Sequence, residues 1–297
     1  MAAARCHMAA MSEEQLAGVA QMQHPLVRRV LAANPGPFTY TGTQTYLVGN
    51  RDLAVIDPGP DLPEHVEALI AAIGGAPVRA IVCTHTHRDH SPAAIELKAR
   101  TGAPIIGCAP LVLDDSGPRA DAAFDRGYAP DEAMRDGATI GGDGWTLEAI
   151  HTPGHTSNHI CYALPEAGAL FSGDHVMGWS TTVVSPPDGD MARYMESLEK
   201  LIAREQDSVY YSAHGDPIER PQRFVRGLAG HRKQREGQIL RFLEKQPGAV
   251  TDMVGQMYVG IDPRLHGAAG LSVLAHLIDL ETRGLVRSDA DQWSLAA

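Results

Sequence analysis

Positive charge is scarce in this chain: 25 Lys and Arg stand against 36 Asp and Glu in 297 residues, a formal charge of −11. A surface built for nonspecific phosphate binding is therefore disfavoured unless its cations are gathered in one place. No apolar run approaches the roughly 18 to 20 residues of a membrane-crossing helix. The opening MAAARCHMAAM has one Arg and a short run of small residues, too weak for a secretory signal, so residues 1–24 are expected to be an extension without fixed structure. Four cysteines, Cys6, Cys83, Cys108 and Cys161, form no CxxC pair, and three of them sit in apolar, strand-like runs. That usage favours reduced, buried thiols in a cytoplasmic protein. Internal repeats and low-complexity segments are lacking.

Histidine is plentiful, and its placement carries the chemistry. Of the 14, His7, His24, His65, His231, His266 and His276 read as ordinary surface or core residues. The string THTHRDH (84–90) is different: it sets His85, His87, Asp89 and His90 directly after the apolar run 80–83, which reads as a buried strand. A strand ending in a loop with three imidazoles and a carboxylate offers a compact nitrogen and oxygen donor set. Such a set suits zinc and, less selectively, iron, manganese or cobalt. Three later junctions repeat the design. His155 lies in HTPGHT, where Pro153 and Gly154 force a turn after the strand-like 146–150, Asp174 lies in LFSGDH and His214 in VYYSAHG. Together these strand-end loops hold ligands enough for two metal ions. His159 and His175 follow motif residues and are candidates to reach substrate as proton donors or oxyanion partners, with simple packing as the competing role. Thr181, Thr182 and Tyr194 are candidates to line a pocket.

In the order HxHxDH, TPGHT, SGD and SAHG, these motifs resemble the metallo-β-lactamase superfamily over roughly residues 25–225. The resemblance implies an αββα sandwich with two zinc ions at one edge. By position, it implies that His85, His87 and His155 hold the first ion, that Asp89, His90 and His214 hold the second, and that Asp174 bridges them. Asp57, in AVIDPGP, matches the motif whose acid supports a metal ligand from behind, while a helix cap before Leu62 is its alternative role. A bridging aspartate is a feature of the glyoxalase II, phosphodiesterase and RNA-processing members rather than of most true β-lactamases. Zinc-activated water would then be the nucleophile at neutral pH, with Asp89 also placed to orient it. The local fit is closer still to the lactamase-beta-2-like group, whose best known animal member is a mitochondrial endoribonuclease. It rests on THTHRDHS, TPGHTSNH, SGDH with Thr181 and Thr182, the segment 194–198, and HRKQREGQIL. One departure is the loop SPPDGD (185–190), whose two acids beside the expected site would repel phosphates.

The first half alternates strand and helix in an α/β manner: strands at 27–32, 46–49 and 53–57, then a helix over 62–73 closed by Gly74 and Gly75. Ser91 and Pro92 read as the cap and first residue of a second helix that stops near Gly102. A catalytic domain is expected over 25–229, followed over 230–297 by a small α+β unit. The latter has helices at 251–258 and 265–282 and short strands at 285–287 and 293–295, the order of a winged helix. Residues 219–245 gather eight Lys and Arg against three acids. A winged helix near a basic stretch invites an RNA or DNA surface. The other role for the unit is a structural or homodimer-forming appendage over the active-site edge. The leading expectation is a metal-dependent hydrolase of a small acyl compound (thioester, ester or lactam). A single-strand endoribonuclease is the alternative. A winged-helix binding module without turnover comes third, against which the complete ligand set argues.

Overall fold

The apolar runs of the sequence form two sheets laid face to face, as seen in a computed structural model that describes residues 16–111, 124–260, 262 and 265–296. The first sheet has seven strands in chain order: β1 (Ala20–His24), β2 (Val27–Leu31), β3 (Gln44–Val48), β4 (Leu53–Ile56), β5 (Val78–Cys83), β6 (Ile105–Gly107) and β7 (Glu132–Ala133). Pairing is antiparallel as far as β4 and parallel beyond it. Parallel neighbours need crossovers, and helices α1 (Pro63–Ile73) and α2 (Ala93–Thr101) supply those between β4, β5 and β6. The second sheet runs in the order β12-β11-β10-β9-β8. Its strands are β8 (Thr139–Gly142), β9 (Trp145–His151), β10 (Ile160–Leu164), β11 (Ala169–Gly173) and β12 (Val209–Ser212), with α3 (Met191–Ile202) crossing over between the last two.

Strands β3, β4, β10 and β11 are buried at every residue, the mark of strands covered on both faces. One apolar layer joins Tyr46, Val55, Leu147, Tyr162 and Phe171 between the sheets. Another joins Leu170 and Tyr210 to Tyr194, Leu198 and Val225 of α3 and the long α4 (Pro221–Leu243). Each fully buried Leu or Phe in these layers contributes roughly 1.5–3 kcal/mol. The result is the expected αββα sandwich, with both sets of strand-end loops at one edge.

After α4 come α5 (Val250–Met257), α6 (His266–Thr282) and the ribbon β13 (Val286–Asp289) with β14 (Gln292–Leu295), closed around Val273, Leu277, Val286 and Trp293. Helix α4 belongs to both units. Val225 and Leu228 pack on the sandwich, whereas Ile239, Phe242 and Leu243 enter the winged-helix core, so the boundary expected at 230 falls inside a continuous helix. Two other expectations also shift. Ala20–His24 pairs with β2 instead of belonging to an extension, while residues 1–15, Cys6 and His7 among them, lie outside the described residues. Ser91 does not cap α2: Pro92 holds that position, and the Ser91 hydroxyl donates to Asp125 at 2.8 Å. Cys83, Cys108 and Cys161 are buried free thiols. Among the described residues, no helix is long and apolar enough to cross a membrane.

Candidate metal centre and cleft

Strand ends bring seven side chains together. His85, His87, His155 and Asp174 each offer a donor atom within 4.8 Å of the others, and Asp89, His90 and His214 form a second such group. In the first, His87 Nδ1 lies 2.9 Å from His85 Nε2 and 3.1 Å from His155 Nε2. In the second, Asp89 Oδ2 lies 3.2 Å from His214 Nε2 and 3.3 Å from His90 Nε2. Asp174 faces both. Its Oδ2 is 3.7 Å from His155 Nε2, and its Oδ1 is 3.3 Å from His214 Nε2 and 3.6 Å from His90 Nε2. His90 Nε2, His214 Nε2 and Asp174 Oδ1 are buried and lack a hydrogen-bond partner. An unmet buried polar atom costs about 1–3 kcal/mol, and these converge on one another with the donor chemistry of a divalent metal site.

The outer nitrogens of the imidazoles are held by the scaffold. His155 Nδ1 donates to the Val183 carbonyl at 2.7 Å and His214 Nδ1 to the Gly42 carbonyl at 3.1 Å. His90 Nδ1 donates to Asp57 Oδ2 at 3.0 Å. That carboxylate also accepts the Thr84 hydroxyl at 2.8 Å and the Thr84 N–H at 2.7 Å. With its proton committed to Asp57, the Thr84 oxygen can only accept from His85 Nδ1, 3.0 Å away. Each bond fixes a tautomer that leaves Nε2 free for a cation. Asp57 therefore backs candidate ligands and does not cap α1, where Leu62 occupies the cap position without a side-chain bond. It sits at φ 49, a left-handed conformation that aims its carboxylate at Thr84, and Thr45 Oγ1 bonds its carbonyl at 2.7 Å. Burial alone would lower His90, but Asp89, Asp174 and Asp57 hold it well above its ordinary pKa. Burial and the neighbouring imidazoles push His85 well below. Gly173 permits the crowding: at φ 49, a Cβ there would meet His159 Nε2 and Thr84 Oγ1 at 2.7 Å.

Comparison with known proteins agrees with this geometry. Residues 39–214 match the metallo-beta-lactamase superfamily, and residues 249–293 match the beta-lactamase associated winged helix domain. The chain belongs to the metallo-beta-lactamase superfamily. It is 30% identical over 282 residues to the beta-lactamase-like protein 2 homolog of Drosophila melanogaster, covering 88% of this chain and 89% of that one. It is 33% identical over 227 residues to an atrochrysone carboxyl ACP thioesterase of Aspergillus chevalieri, covering 74% and 67%. The crystal structure of a beta-lactamase domain protein from Burkholderia ambifaria shares its fold, with a TM-score of 0.79 at 20% identity over 96% of each chain. The protein is thus a hydrolase of the metallo-beta-lactamase superfamily with a His and Asp cluster for a divalent metal.

A cleft of about 260 Å³ opens over the ligands of this metallo-beta-lactamase core, walled by Pro37, Phe38, Met177 and Val183. Arg88, a residue that the motif does not flag, is exposed at its edge. Several side chains expected at substrate lie elsewhere. His159 and His175 are buried behind the ligands and line no part of the cleft. His159 Nδ1 meets Thr152 Oγ1 at 2.9 Å, and the His175 ring packs 4.6 Å from that of Tyr194. Burial pushes the His175 imidazole down to about 3, so it stays neutral. Tyr194 is also interior: its hydroxyl donates to the His175 carbonyl at 3.1 Å. Thr181 and Thr182 line an adjoining pocket, but the Thr182 hydroxyl is engaged, donating to the Asp174 carbonyl at 2.7 Å.

The acids of the 185–190 loop do not face the cleft. Asp188 accepts the Ser157 N–H at 3.1 Å, and Asp190 caps α3. Nor does the basic stretch form one surface. Arg220, Arg223 and Arg226 are exposed, whereas Arg232 is only 3% exposed, stacks 5.2 Å over Tyr194 and donates to the Thr182 carbonyl. Arg232 thus braces the loop that carries Asp174 and Val183. A test that reverses Arg232, Lys233 and Arg235 together would strike the core as well as the surface.

Proposed function

We propose that the protein is a dinuclear hydrolase of small acyl thioesters, with zinc as the metal that this nitrogen-rich donor set suits best. The observation that carries the reading is the cleft: an apolar wall of Pro37, Phe38, Met177 and Val183 stands directly over His87, Asp89, His155 and Asp174. An acyl chain is accommodated by such a wall, and a run of phosphates is not. The name of the Aspergillus chevalieri relative, an acyl carrier thioesterase, fits the same chemistry. Three buried free thiols fit a reducing compartment such as the cytoplasm.

Metal ions bound by the two groups supply an acidified water and Lewis acidity at the acyl oxygen. The chain's own residues do the rest. Asp89, whose side chain is 23% exposed, is the carboxylate placed to orient the attacking water and take its proton. Thr43 Oγ1 steadies it from behind, donating to Asp89 Oδ2 at 3.2 Å. Water oxygen bonds to the acyl carbon, the C–S bond breaks, and the products are a carboxylate, a thiol and a proton. A thiol ionises near pH 8.5, so the leaving group departs as thiolate without a buried acid to protonate it. That is compatible with His159 and His175 standing behind the ligands. The test is turnover by the zinc-loaded chain, with a chelated control, of a thioester panel, a chromogenic cephalosporin and labelled single-stranded RNA. Chelator-sensitive cleavage dominated by thioesters is expected. RNA cleavage with an inert acyl panel would overturn the reading in favour of an endoribonuclease.

A further inference from the structure

A second pocket, of about 290 Å³, adjoins the cleft. Pro37, Phe38, Met177 and Val183 line both, and the far wall of the second is built from α4 and the winged helix. The chain has 36 acids, yet among the described residues no Asp or Glu lines this pocket, while Arg232 and Arg235 do. Neutral groups hold both guanidinium groups. Arg235 lies 4.2 Å over the Tyr258 ring and donates to Gln238 Oε1 at 2.9 Å and the Met257 carbonyl at 3.0 Å. Arg232 donates to the Thr182 carbonyl, and the Nε of each arginine is buried without a partner. His231, in the same wall, is pushed down to about 4 by burial and by the two arginines, so it adds no charge. Two guanidinium charges that no carboxylate neutralises, in a pocket that shares its apolar wall with the cleft, suit an anion, and the planar fork of arginine matches phosphate best.

We propose that the thiol arm of the substrate ends in a phosphate, and that this end occupies the pocket between the metallo-beta-lactamase core and the winged helix, with Arg235 as its anchor. The proposal rests on the thioester reading and adds the class of leaving group: a phosphorylated thiol long enough to span from the metal ligands to α4. The test is calorimetric binding of the S-methyl ethers of 4′-phosphopantetheine and pantetheine to the zinc-loaded full chain. The two ligands share every group but the phosphate, so their affinity ratio isolates it. About tenfold or more in favour of the phosphorylated ligand is expected, falling to within about threefold in Arg235→Gln. Equal affinities in the parent protein, or a ratio untouched by Arg235→Gln, would overturn the proposal. Should that variant fail to fold, Ala268→Asp, which sets an acid in the same wall, must abolish the preference too. A short single-stranded RNA that displaces the phosphorylated ligand and binds more tightly would assign the pocket to nucleic acid, and the proposal falls. Turnover is read separately. Absent thioester cleavage with the ratio intact rejects the reaction and keeps the phosphate pocket, whereas cleavage with a ratio of one rejects the pocket.

Discussion

The two ligand groups share Asp174 but are backed differently. Around His85, His87 and His155 the supports are neutral, a Thr84 hydroxyl and the Val183 carbonyl. Around His90 and His214 there is charge: Asp89 is a ligand itself, and His90 leans on the Asp57 carboxylate. The same residue type therefore answers in opposite directions, with His85 driven well below its ordinary pKa and His90 held well above it. One group is set to hold a cation by its number of imidazoles, the other by negative charge. Asp57 is the element common to both, touching His90 directly and reaching His85 through Thr84.

Asp174→Ala removes the carboxylate that faces both groups, so it should give the largest loss. Turnover is expected to fall on the order of 10³-fold or more, several kcal/mol of transition-state stabilisation, with bound metal reduced in elemental analysis. A variant that keeps turnover would show that the groups work independently. Asp57→Asn keeps the shape and removes the charge. It should weaken metal binding by roughly 10- to 100-fold in competition titrations with a chromophoric chelator, more for the His90 group than for the His85 group. Equal weakening would mean that charge is not what distinguishes them. Thr84→Val cuts only the relay to His85, leaving the bond from His90 to Asp57. A loss of about tenfold or less, confined to one binding step, is expected.

The seven candidate ligands were legible because each is a side chain with one chemistry, set at the end of an apolar run. Of what holds them, Asp57 was legible by its motif and the rest was not. Gly42 and Val183 act through backbone carbonyls, which no residue type announces, and each lies far in sequence from the imidazole that it steadies. His159 and His175 misled because a place beside a motif says nothing about the side of the sheet on which a ring lands. His159 lies against Thr152 and the His85 ring, and His175 against the buried Tyr194. The two-layer order was implied by the family resemblance and the winged helix by the order of its helices and strands, but the shared α4 was not foreseen, since its polar face runs unbroken through the expected boundary. Counting charge over residues 219–245 also hid a difference in direction. Val225, Arg232 and Ile239 recur at seven-residue spacing, and all three are buried. That spacing marks Arg232 as part of the apolar stripe of α4. Arg220, Arg223 and Arg226 fall off the stripe and are exposed.

Arg232 gives the finest probe of the comparison, because from outside both groups it braces a side chain of the first, His155, but only the backbone of the Asp174 that they share. Its guanidinium holds the Thr182 carbonyl; the Thr182 hydroxyl holds the carbonyl of Asp174, and the next residue, Val183, holds His155. The Val183 branch ends on His155, whereas the Thr182 hydroxyl holds only the backbone of Asp174 and not the carboxylate that faces His90 and His214. Arg232→Met keeps the stacking volume over Tyr194 while leaving the Thr182 carbonyl without its donor. A stability loss of about 1–3 kcal/mol in urea unfolding is expected from that unmet carbonyl. Metal binding should weaken only a few-fold, and in the step assigned to His85, His87 and His155. Exposed Arg223→Ala, measured alongside, should change stability by no more than about 0.5 kcal/mol. If Arg232→Met instead weakened both steps alike, the brace would act on the sandwich as a whole, and the two groups would be mechanically one.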